Sequence, residues 1–489
     1  MTLSGLKRPL PHRTWALLLL AFVLVVAALV PAALVGAQES TAPERDLGAH
    51  YAPIARRIIT ETLRENDAYR KLEHLCDDVG HRLSGSPGLE KAVAWAVEAL
   101  KRDGHENVRT QPVTVTRWVR GAESLEMLEP RPLSMPMLGL GGSVATPPEG
   151  ISAEVLVVRD LEELSDLGEK AAGKIVLFNF PMSSENEKGG GNYGTAARYR
   201  VYGARWASSH GALAALVRSV TTRSFQSPHT GAMTYVDAER RIPAAAITVE
   251  HAEYLARLQA RDIPIRVRLR MEARTEGNAP SANVIAELVG RELPDEYVVI
   301  GGHLDSWDVG QGAHDDGGGV VTAMEAITVL RRLGLRPRRT IRCVLFTNEE
   351  NGLAGGRAYA SEHAAELPRH VAAIEADSGV FAPTGFGLDL EDPARLERGL
   401  ATLRQITALL GPIGADDLVP GHGGADISPM KPAGVPLIGQ RADMTHYFDI
   451  HHTHADTFDK VNRDELSRHV AAMAVVAYIL ADMPGRLGE

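Results

Sequence analysis

The chain contains very little cysteine, only two residues among 489. Cys76 and Cys343 lie far apart, and Cys343 falls in the apolar run Thr340–Phe346, where a buried thiol is the usual state. The pair therefore gives no indication of a disulfide framework. The sequence also lacks any Asn-x-Ser/Thr acceptor, so glycosylation gives no support for a eukaryotic secretory route. A bacterial periplasmic or secreted enzyme fits these absences better.

Positive charge is also in short supply, because the formal net charge is -10 at pH 7. This argues against nucleic acid as a partner, since phosphate binding needs a basic face. No long run of like charges is present that would indicate an acidic tail. The hydrophobic content of 44% supports a sizeable core, and the length predicts two or three domains.

Residues 1–37 have the pattern of a signal peptide. Lys7, Arg8 and Arg13 form a basic start, and Trp15–Val30 is nearly all apolar. Small residues precede a predicted cleavage after Ala37. The alternative is an uncleaved membrane anchor, because the apolar run is almost long enough to span a bilayer. In both cases we expect the bulk of the chain to be exported, with no other membrane association.

The rest of the chain is predicted to form a catalytic domain, residues 38–130 and 276–489, interrupted by an inserted domain, residues 131–275. Composition shifts at Pro130–Gly150, which is rich in Pro, Gly and Met, and the following stretch alternates strands and helices on its own. The loop Ser183–Gly194 contains three consecutive glycines, but no Lys-Ser/Thr follows them. It is therefore predicted to be a flexible surface loop and not a phosphate-binding loop.

The second catalytic segment alternates predicted strands with predicted helices. The strands are Asn283–Leu288, Tyr297–Ile300, Thr340–Phe346, His370–Ala376 and Pro436–Gly439. The helices are Val320–Leu333, Gly355–His363, Ala394–Leu410 and Asp464–Met483. This alternation predicts an α/β fold with a mostly parallel sheet covered by helices.

The stretch Gly301–Val320 places metal-type side chains after a predicted strand. His303 and Asp305 stand at the strand's carboxyl end, and Asp315–Asp316 follows ten residues later, before three glycines. Ligands bind outside the carboxyl ends of strands in open α/β sheets, so this pattern suggests a metal site. The alternative is an ordinary turn, because Asp and Gly are common turn residues.

Three further segments carry potential ligands. Glu349 and Glu350 follow one strand, Asp377 follows another, and His451–His454 precedes the last helix. Each has another interpretation: a solvated helix start, a turn or cap, and a surface cluster, respectively. Their common position at one sheet edge favours a metal, and mixed imidazole and carboxylate ligands suit zinc.

The order of these motifs resembles that of a known family. HLD, GAHDD, NEEN, EADSG and HHTHADT occur in the same order in the co-catalytic dizinc aminopeptidase and carboxypeptidase family. The resemblance runs from about His50 to Pro484 and includes RLSGSPGLEKA, SPHTG, GHLDSWDVGQGA and LGLRPRRT. It implies a sheet of the zinc exopeptidase type, with an insertion similar to a protease-associated domain.

The resemblance implies a specific ligand set for two zinc ions. It gives the bridging ligand as Asp315, the ligands of one ion as His303 and Asp377, and those of the other as Glu350 and His452. His452 is preferred to His451 and His454 because the family's ligand stands four residues before the Asp of an HTxxDT pattern, here Asp456.

The resemblance also implies roles around the metal ligands. Glu349 corresponds to the general base, and the carboxylate of Asp305 to the group that orients His303. Tyr447 matches a tyrosine that donates to the oxyanion, the alternative being an aromatic side chain packed in its loop. The Asp315–Asp316 peptide bond is expected to be cis.

Substrate contacts are the least defined part of the expected site. Ser378 and Asp426 are candidates to contact a free amine of the substrate. Related enzymes carry aromatic residues where this chain has Asp449 and Ile450, and bulkier residues where it has Ile427–Met430. These departures leave the ligand set intact and bear on side-chain preference.

The sequence therefore predicts a zinc-dependent exopeptidase that hydrolyses dipeptides or short peptides with a free N-terminus. One alternative is an aminopeptidase acting on longer peptides. A non-catalytic binding homologue would lack ligands or the base, and a glutaminyl cyclase relative would use one zinc. The resemblance also implies a possible homodimer.

Overall fold

Two eight-stranded sheets organise the part of the chain that the computed structural model describes, residues 46–238 and 240–489. The predicted export segment, residues 1–37, lies outside these ranges. In chain order the strands are β1 Glu106–Val119, β2 Glu123–Glu129, β3 Leu133–Met135, β4 Met137–Gly139, β5 Ile151–Val158, β6 Ile175–Phe178, β7 Ala214–Arg218, β8 Ala244–Ile247, β9 Arg266–Met271, β10 Arg274–Leu288, β11 Leu293–His303, β12 Arg339–Phe346, β13 His370–Ala376, β14 Pro383–Asp389, β15 Asp417–Pro420 and β16 Leu437–Ala442. The α-helices are α1 Leu47–Arg64, α2 Ala68–Glu73, α3 Pro87–Arg102, α4 Leu161–Leu167, α5 Tyr193–Ser209, α6 Val249–Gln259, α7 Gly318–Arg332, α8 Ala354–Glu362, α9 Pro393–Thr407, α10 Tyr447–Ile450 and α11 Arg463–Asp482.

The first sheet has the strand order β1-β10-β12-β11-β13-β16-β14-β15. Its centre is parallel, since β11 pairs in parallel with β12 and β13, and β13 pairs in parallel with β16. Towards the edges, β10 runs antiparallel to β12, and β14 runs antiparallel to β16. The prediction of a parallel sheet is therefore confirmed at the centre, whereas the sheet as a whole is mixed.

Successive side chains of a strand point to opposite faces, and in the central strands of the first sheet both sets are largely apolar. Helices therefore cover both faces of this sheet. Ile300 packs in one core with Leu330 of α7 and Ile479 of α11. Its neighbour Val299 packs in the opposite core with Tyr359 of α8. The carboxyl ends of β11, β12 and β13 consequently meet at one edge of a rigid, two-sided layer.

The second sheet is formed by one continuous stretch of chain, from β2 to β9, in the order β3-β2-β9-β5-β6-β7-β8-β4. Strands β5 to β8 are parallel, with Ala204 of α5 packed in one core and Leu255 of α6 in the other. The predicted insertion, 131–275, does form a sheet of its own, which already begins at Glu123. Its identity as a protease-associated domain stays a prediction.

Two strands of the first sheet were not predicted, β14 and β15. The sequence of β14, PTGFGLD, contains proline and two glycines, which are depleted in strands. Gly385 is nevertheless required there, because a Cβ atom on it would lie 1.8 Å from the carbonyl oxygen of Asp417. The predicted helix Ala394–Leu410 ends earlier, at Thr407, and continues as a 3₁₀ turn. In the described ranges, no helix is both long and apolar enough to span a membrane.

Candidate metal centre

Asp305 contacts His303 differently from the expectation. The Nδ1 atom of His303 lies 3.0 Å from the backbone carbonyl oxygen of Asp305 and 3.8 Å from its carboxylate, too far for a hydrogen bond. The carboxylate instead accepts the backbone N–H groups of Glu349 at 3.1 Å and Glu350 at 3.3 Å, and the hydroxyl of Ser84. The orienting group for His303 is therefore a carbonyl, and the carboxylate holds the loop after β12.

Arg82 fixes the loop that joins β11 to Asp315. Its fully buried guanidinium donates to the carbonyl oxygen of Leu304 at 2.8 Å, of Gln311 at 2.7 Å and of Gly312 at 2.8 Å. Both ends of the loop are thereby attached to one side chain. The role of Arg82 could not be predicted from the sequence, because the carbonyl groups that it binds are present in every residue.

Asp315 is held through its backbone by Asp456, whose carboxylate accepts the N–H groups of His314 at 2.8 Å and Asp315 at 3.1 Å. The Asp315–Asp316 peptide bond is cis, as expected. The carboxylate of Asp316 accepts the backbone N–H groups of His303 and Gly319. The side chain of Asp315 is thus left free to face the centre.

Close packing of α7 against β13 places Asp315 beside Asp377. A Cβ atom on Gly319 would lie 1.9 Å from the carbonyl oxygen of Ala376. Only glycine allows this approach, which explains Gly319, the last of the three glycines that follow Asp315–Asp316. Asp377 follows Ala376 directly, at the carboxyl end of β13.

His452 is oriented by the second sheet's part of the chain. Its Nδ1 atom lies 3.2 Å from the carbonyl oxygen of Thr230, and the N–H of Thr230 donates to the carbonyl oxygen of His452 at 3.0 Å. Metal-bound imidazoles commonly have their second nitrogen oriented in this way. Thr230 belongs to the motif SPHTG, for which the sequence alone suggested no role.

The two oxygens of Asp315 face two separate sets of ligand atoms. Oδ1 lies 3.2 Å from Nε2 of His303, which is 3.5 Å from Oδ1 of Asp377. Oδ2 lies 3.1 Å from Nε2 of His452, which is 3.1 Å from Oε2 of Glu350. The structure therefore brings together all five side chains that were expected as ligands.

These separations fit zinc. Two ligand atoms at about 2.0–2.1 Å from one tetrahedral zinc ion lie about 3.3 Å apart, close to the N···O distances observed here. Nε2 of His303, Oδ2 of Asp315 and Oε1 of Glu350 are buried and have no hydrogen-bond partner in the described structure. Buried polar atoms without partners are costly, and bound cations would satisfy them.

His451 and Asp316 also lie close enough to be considered as ligands. His451 stacks on His452 with ring centroids 3.6 Å apart, and its Nε2 lies 3.5 Å from Oδ2 of Asp315. It makes no ion pair with Glu350 in the described ranges, whereas His452 contacts both carboxylates. Asp316 has both oxygens engaged by backbone N–H groups. The geometry therefore favours His452 and Asp315.

A cavity of about 590 Å³ opens onto this centre, and its lining includes Glu349 and Tyr447. Loss of solvent and the nearby carboxylates of Asp377 and Glu350 raise the pKa of Glu349 well above its ordinary value. A bound cation would oppose this effect. Burial and the carboxylates of Asp315 and Asp377 raise the pKa of Tyr447 well above its ordinary value, so its hydroxyl stays protonated and able to donate.

The two candidates for contacting a free amine of the substrate, Ser378 and Asp426, lie in different surroundings. Ser378 lines this cavity and an adjoining cavity of about 550 Å³. Asp426 is fully buried beside Glu375, and burial and that neighbour raise its pKa well above the ordinary value. The described lining of both cavities omits Asp426. Of the two candidates, only Ser378 is placed to meet a substrate.

The glycine-rich loop, which was predicted to be a flexible surface loop, also lines the site. Gly189, Gly190 and Gly191 line the cavity that contains Glu349. The carbonyl oxygen of Lys188 accepts the N–H of Met444, which ties the loop to the segment before α10. The glycines therefore form a wall of the site.

Comparison with known proteins agrees with this geometry. Residues 283–477 match the model of peptidase family M28. Carboxypeptidase Q of Bos taurus is 43% identical over 438 residues, which cover 89% of this chain and 90% of that protein. The crystal structure of a Peptidase M28 precursor from Shewanella amazonensis is 35% identical, with a TM-score of 0.85 over 90% of this chain and 98% of that one. BSAP, a zinc aminopeptidase from Bacillus subtilis, shares the fold at 20% identity, with a TM-score of 0.62 over 86% of this chain and 96% of that one. The chain therefore belongs to peptidase family M28 as a metallo-exopeptidase similar to carboxypeptidase Q.

Proposed function

We propose that this protein is an exported, zinc-dependent exopeptidase that hydrolyses dipeptides or short peptides with a free amino terminus. Two zinc ions would share Asp315, with the outer ligands His303 and Asp377 on one side, and Glu350 and His452 on the other. The observation that carries this proposal is that each oxygen of Asp315 faces a different imidazole, at 3.2 and 3.1 Å. The structural neighbour from Bacillus subtilis is a zinc aminopeptidase, which supports the choice of metal.

The chain's own residues supply the proton transfers. When bound, zinc polarises the scissile carbonyl and makes water a stronger acid. Glu349 lines the cavity beside the ligands and accepts the proton of the attacking water. The same carboxyl group then passes that proton to the leaving amine. Tyr447, whose hydroxyl stays protonated, donates to the developing oxyanion.

The shape of the site suits a peptide end. The adjoining cavity of about 550 Å³ is lined by the acidic residues Glu375, Asp377 and Asp417 and by the basic residues Lys188 and Arg441, and Arg441 pairs with Asp417 at 2.6 Å. We expect the substrate's free ammonium group to lie near the carboxylates of Glu375 and Asp377. The alternative is an aminopeptidase that acts on longer peptides. A dipeptide and a pentapeptide with the same first residue separate the two, because comparable kcat/KM values for both would contradict the preference for short peptides.

The role of Glu349 is tested by Glu349→Gln. We expect kcat to fall by about 10²–10⁴-fold, with zinc content by mass spectrometry remaining near two ions per chain. Glu397→Gln is the matched control, because Glu397 is exposed on α9, away from the site. Retained turnover in Glu349→Gln would reject its role as the base, and a single zinc per wild-type chain would reject the two-ion centre.

A further inference from the structure

Arg200 of α5 brings a buried positive charge from the second sheet's part of the chain to the metal centre. Its side chain is 7% exposed and lines the same cavity as Glu349 and Glu350. Within the described ranges its guanidinium donates to the hydroxyl of Tyr193 at 2.9 Å and to the carbonyl oxygen of Thr230 at 3.5 Å. Nε, also buried, has no hydrogen-bond partner there.

This cation lacks an acidic partner in the described structure. The other buried cations have fuller sets of partners: Lys71 contacts Asp103 and Glu325, both at 2.6 Å, and Arg82 donates to four backbone carbonyl oxygens. A buried charge without a counter-charge is costly, so such a group indicates that its partner arrives with a ligand. A guanidinium has five N–H donors, and the two bonds of Arg200 leave one further N–H on each terminal nitrogen for a carboxylate, whereas Nε itself is enclosed.

The surroundings hold the guanidinium in one place. Gly231 has φ of 142°, and a Cβ atom on it would lie 2.5 Å from Nε of Arg200, so glycine lets the backbone pass flat against the group. The ring of Tyr193 lies 5.6 Å from Cζ of Arg200 and packs edge-on against His451. Arg200 is thereby held next to the histidine pair that faces Asp315.

We propose that Arg200 binds the C-terminal carboxylate of the substrate and selects dipeptides, an inference that rests on the proposed exopeptidase function. The two adjoining cavities share Asp377 and Ser378. One carries the carboxylates of Glu375 and Asp377 beside the ion pair of Asp417 with Arg441, and the other carries Arg200. A dipeptide zwitterion matches this charge pattern. Its carboxylate carbon lies three bonds from the scissile carbonyl, and each further residue moves the carboxylate by about 3.3–3.6 Å.

The test compares substrates that differ only at the C-terminus. We expect the wild-type enzyme to cleave leucyl-alanine with a kcat/KM about 100-fold above that of leucyl-alanine amide. Arg200→Met should bring this ratio close to one, and Arg200→Lys should give an intermediate ratio because the charge remains without the planar donors. Equal cleavage of acid and amide by the wild type, or an unchanged ratio in Arg200→Met, would overturn the proposal.

An acidic side chain of the substrate offers the same chemistry as its C-terminus. Leucyl-glutamate amide distinguishes the two sources, because it carries a side-chain carboxylate and no terminal one. We expect it to be as poor a substrate as leucyl-alanine amide. Cleavage as efficient as that of leucyl-alanine would assign Arg200 to a side-chain pocket and contradict the proposal.

Controls separate this proposal from a structural role and from the proposed function. Arg198→Met carries the same substitution at an exposed position of α5 and should keep the wild-type ratio. Zinc content and thermal unfolding establish whether Arg200→Met folds; if it does not, the wild-type ratios and Arg200→Lys decide. Glu349→Gln should lower cleavage of acid and amide alike. A wild-type protein that is inert toward all these substrates would overturn the exopeptidase function, and the role of Arg200 with it.

Discussion

The replacement Asp305→Asn tests whether the carboxylate of Asp305 positions the loop after β12, which carries Glu349, or the imidazole of His303. In the structure each carboxylate oxygen serves a different backbone N–H, that of Glu349 or that of Glu350. An asparagine amide has only one oxygen, so one of these N–H groups must face an NH₂ group whichever way the amide is turned. The carbonyl group that contacts His303 is unchanged by the substitution.

The expected loss can be estimated from one missing bond. A hydrogen bond to a charged acceptor contributes about 1.5–3 kcal/mol, and an unsatisfied buried donor adds to the cost. If the missing bond misplaces Glu349 and raises the activation free energy by this amount, kcat falls by about 10- to 100-fold. KM and the zinc bound at His303 should change little, because the orientation of that ring does not depend on the carboxylate.

The assay combines kcat and KM for a dipeptide with zinc content per chain. Asp416→Asn is the matched control, since Asp416 is exposed and lies outside the site. Loss of one zinc from Asp305→Asn, with normal kcat after zinc is restored, would refute the reasoning. That result would instead support the role expected from the family resemblance, in which the carboxylate orients His303.

Three further outcomes are expected. His452→Ala should lower the zinc content from about two to about one per chain and abolish turnover, whereas His451→Ala should keep both ions, because only His452 contacts two of the proposed ligands. Leu330→Ala should lower the free energy of unfolding by about 2–5 kcal/mol in a denaturant titration, whereas Leu63→Ala, at 44% exposure, should change it by less than about 0.5 kcal/mol. Both cysteines are buried, and burial raises the pKa of each thiol to about 12, so a thiol reagent at pH 8 should modify neither until the protein is unfolded.

Three of the five expected ligands could be predicted because each lies at or shortly after the end of a strand with a clear apolar pattern, whereas Asp315 and His452 were assigned by the family resemblance. His303 ends β11, Asp377 follows β13, and Glu350 follows β12. Parallel strands bring such positions to one edge whatever the intervening sequence does. The glycines after Asp315–Asp316 gave a second signal, and one of them, Gly319, marks the close approach of α7 to β13.

The contacts that orient these ligands could not be predicted, because most of them run through backbone groups. The carbonyl of Asp305, not its carboxylate, contacts His303. Arg82 binds four carbonyl oxygens, which any residue could supply. Strand β14 was missed for a related reason: its glycines lower the strand propensity, and only the neighbouring backbone explains them, that of Asp417 for Gly385 and that of Gly421 for Gly387.

The segment around Thr230 shows why the second sheet is part of the active site rather than an accessory to it. Thr230 lies 222 residues before His452, yet its carbonyl orients the imidazole and its N–H binds the carbonyl of the same histidine. The next residue, Gly231, provides the flat surface against which Arg200 lies. One turn of chain therefore supports a proposed metal ligand and a proposed substrate-binding cation. Because both depend on this segment, a change in it would alter metal affinity and substrate length preference together. We therefore expect substitutions in the insertion to be accompanied by substitutions in the catalytic sheet.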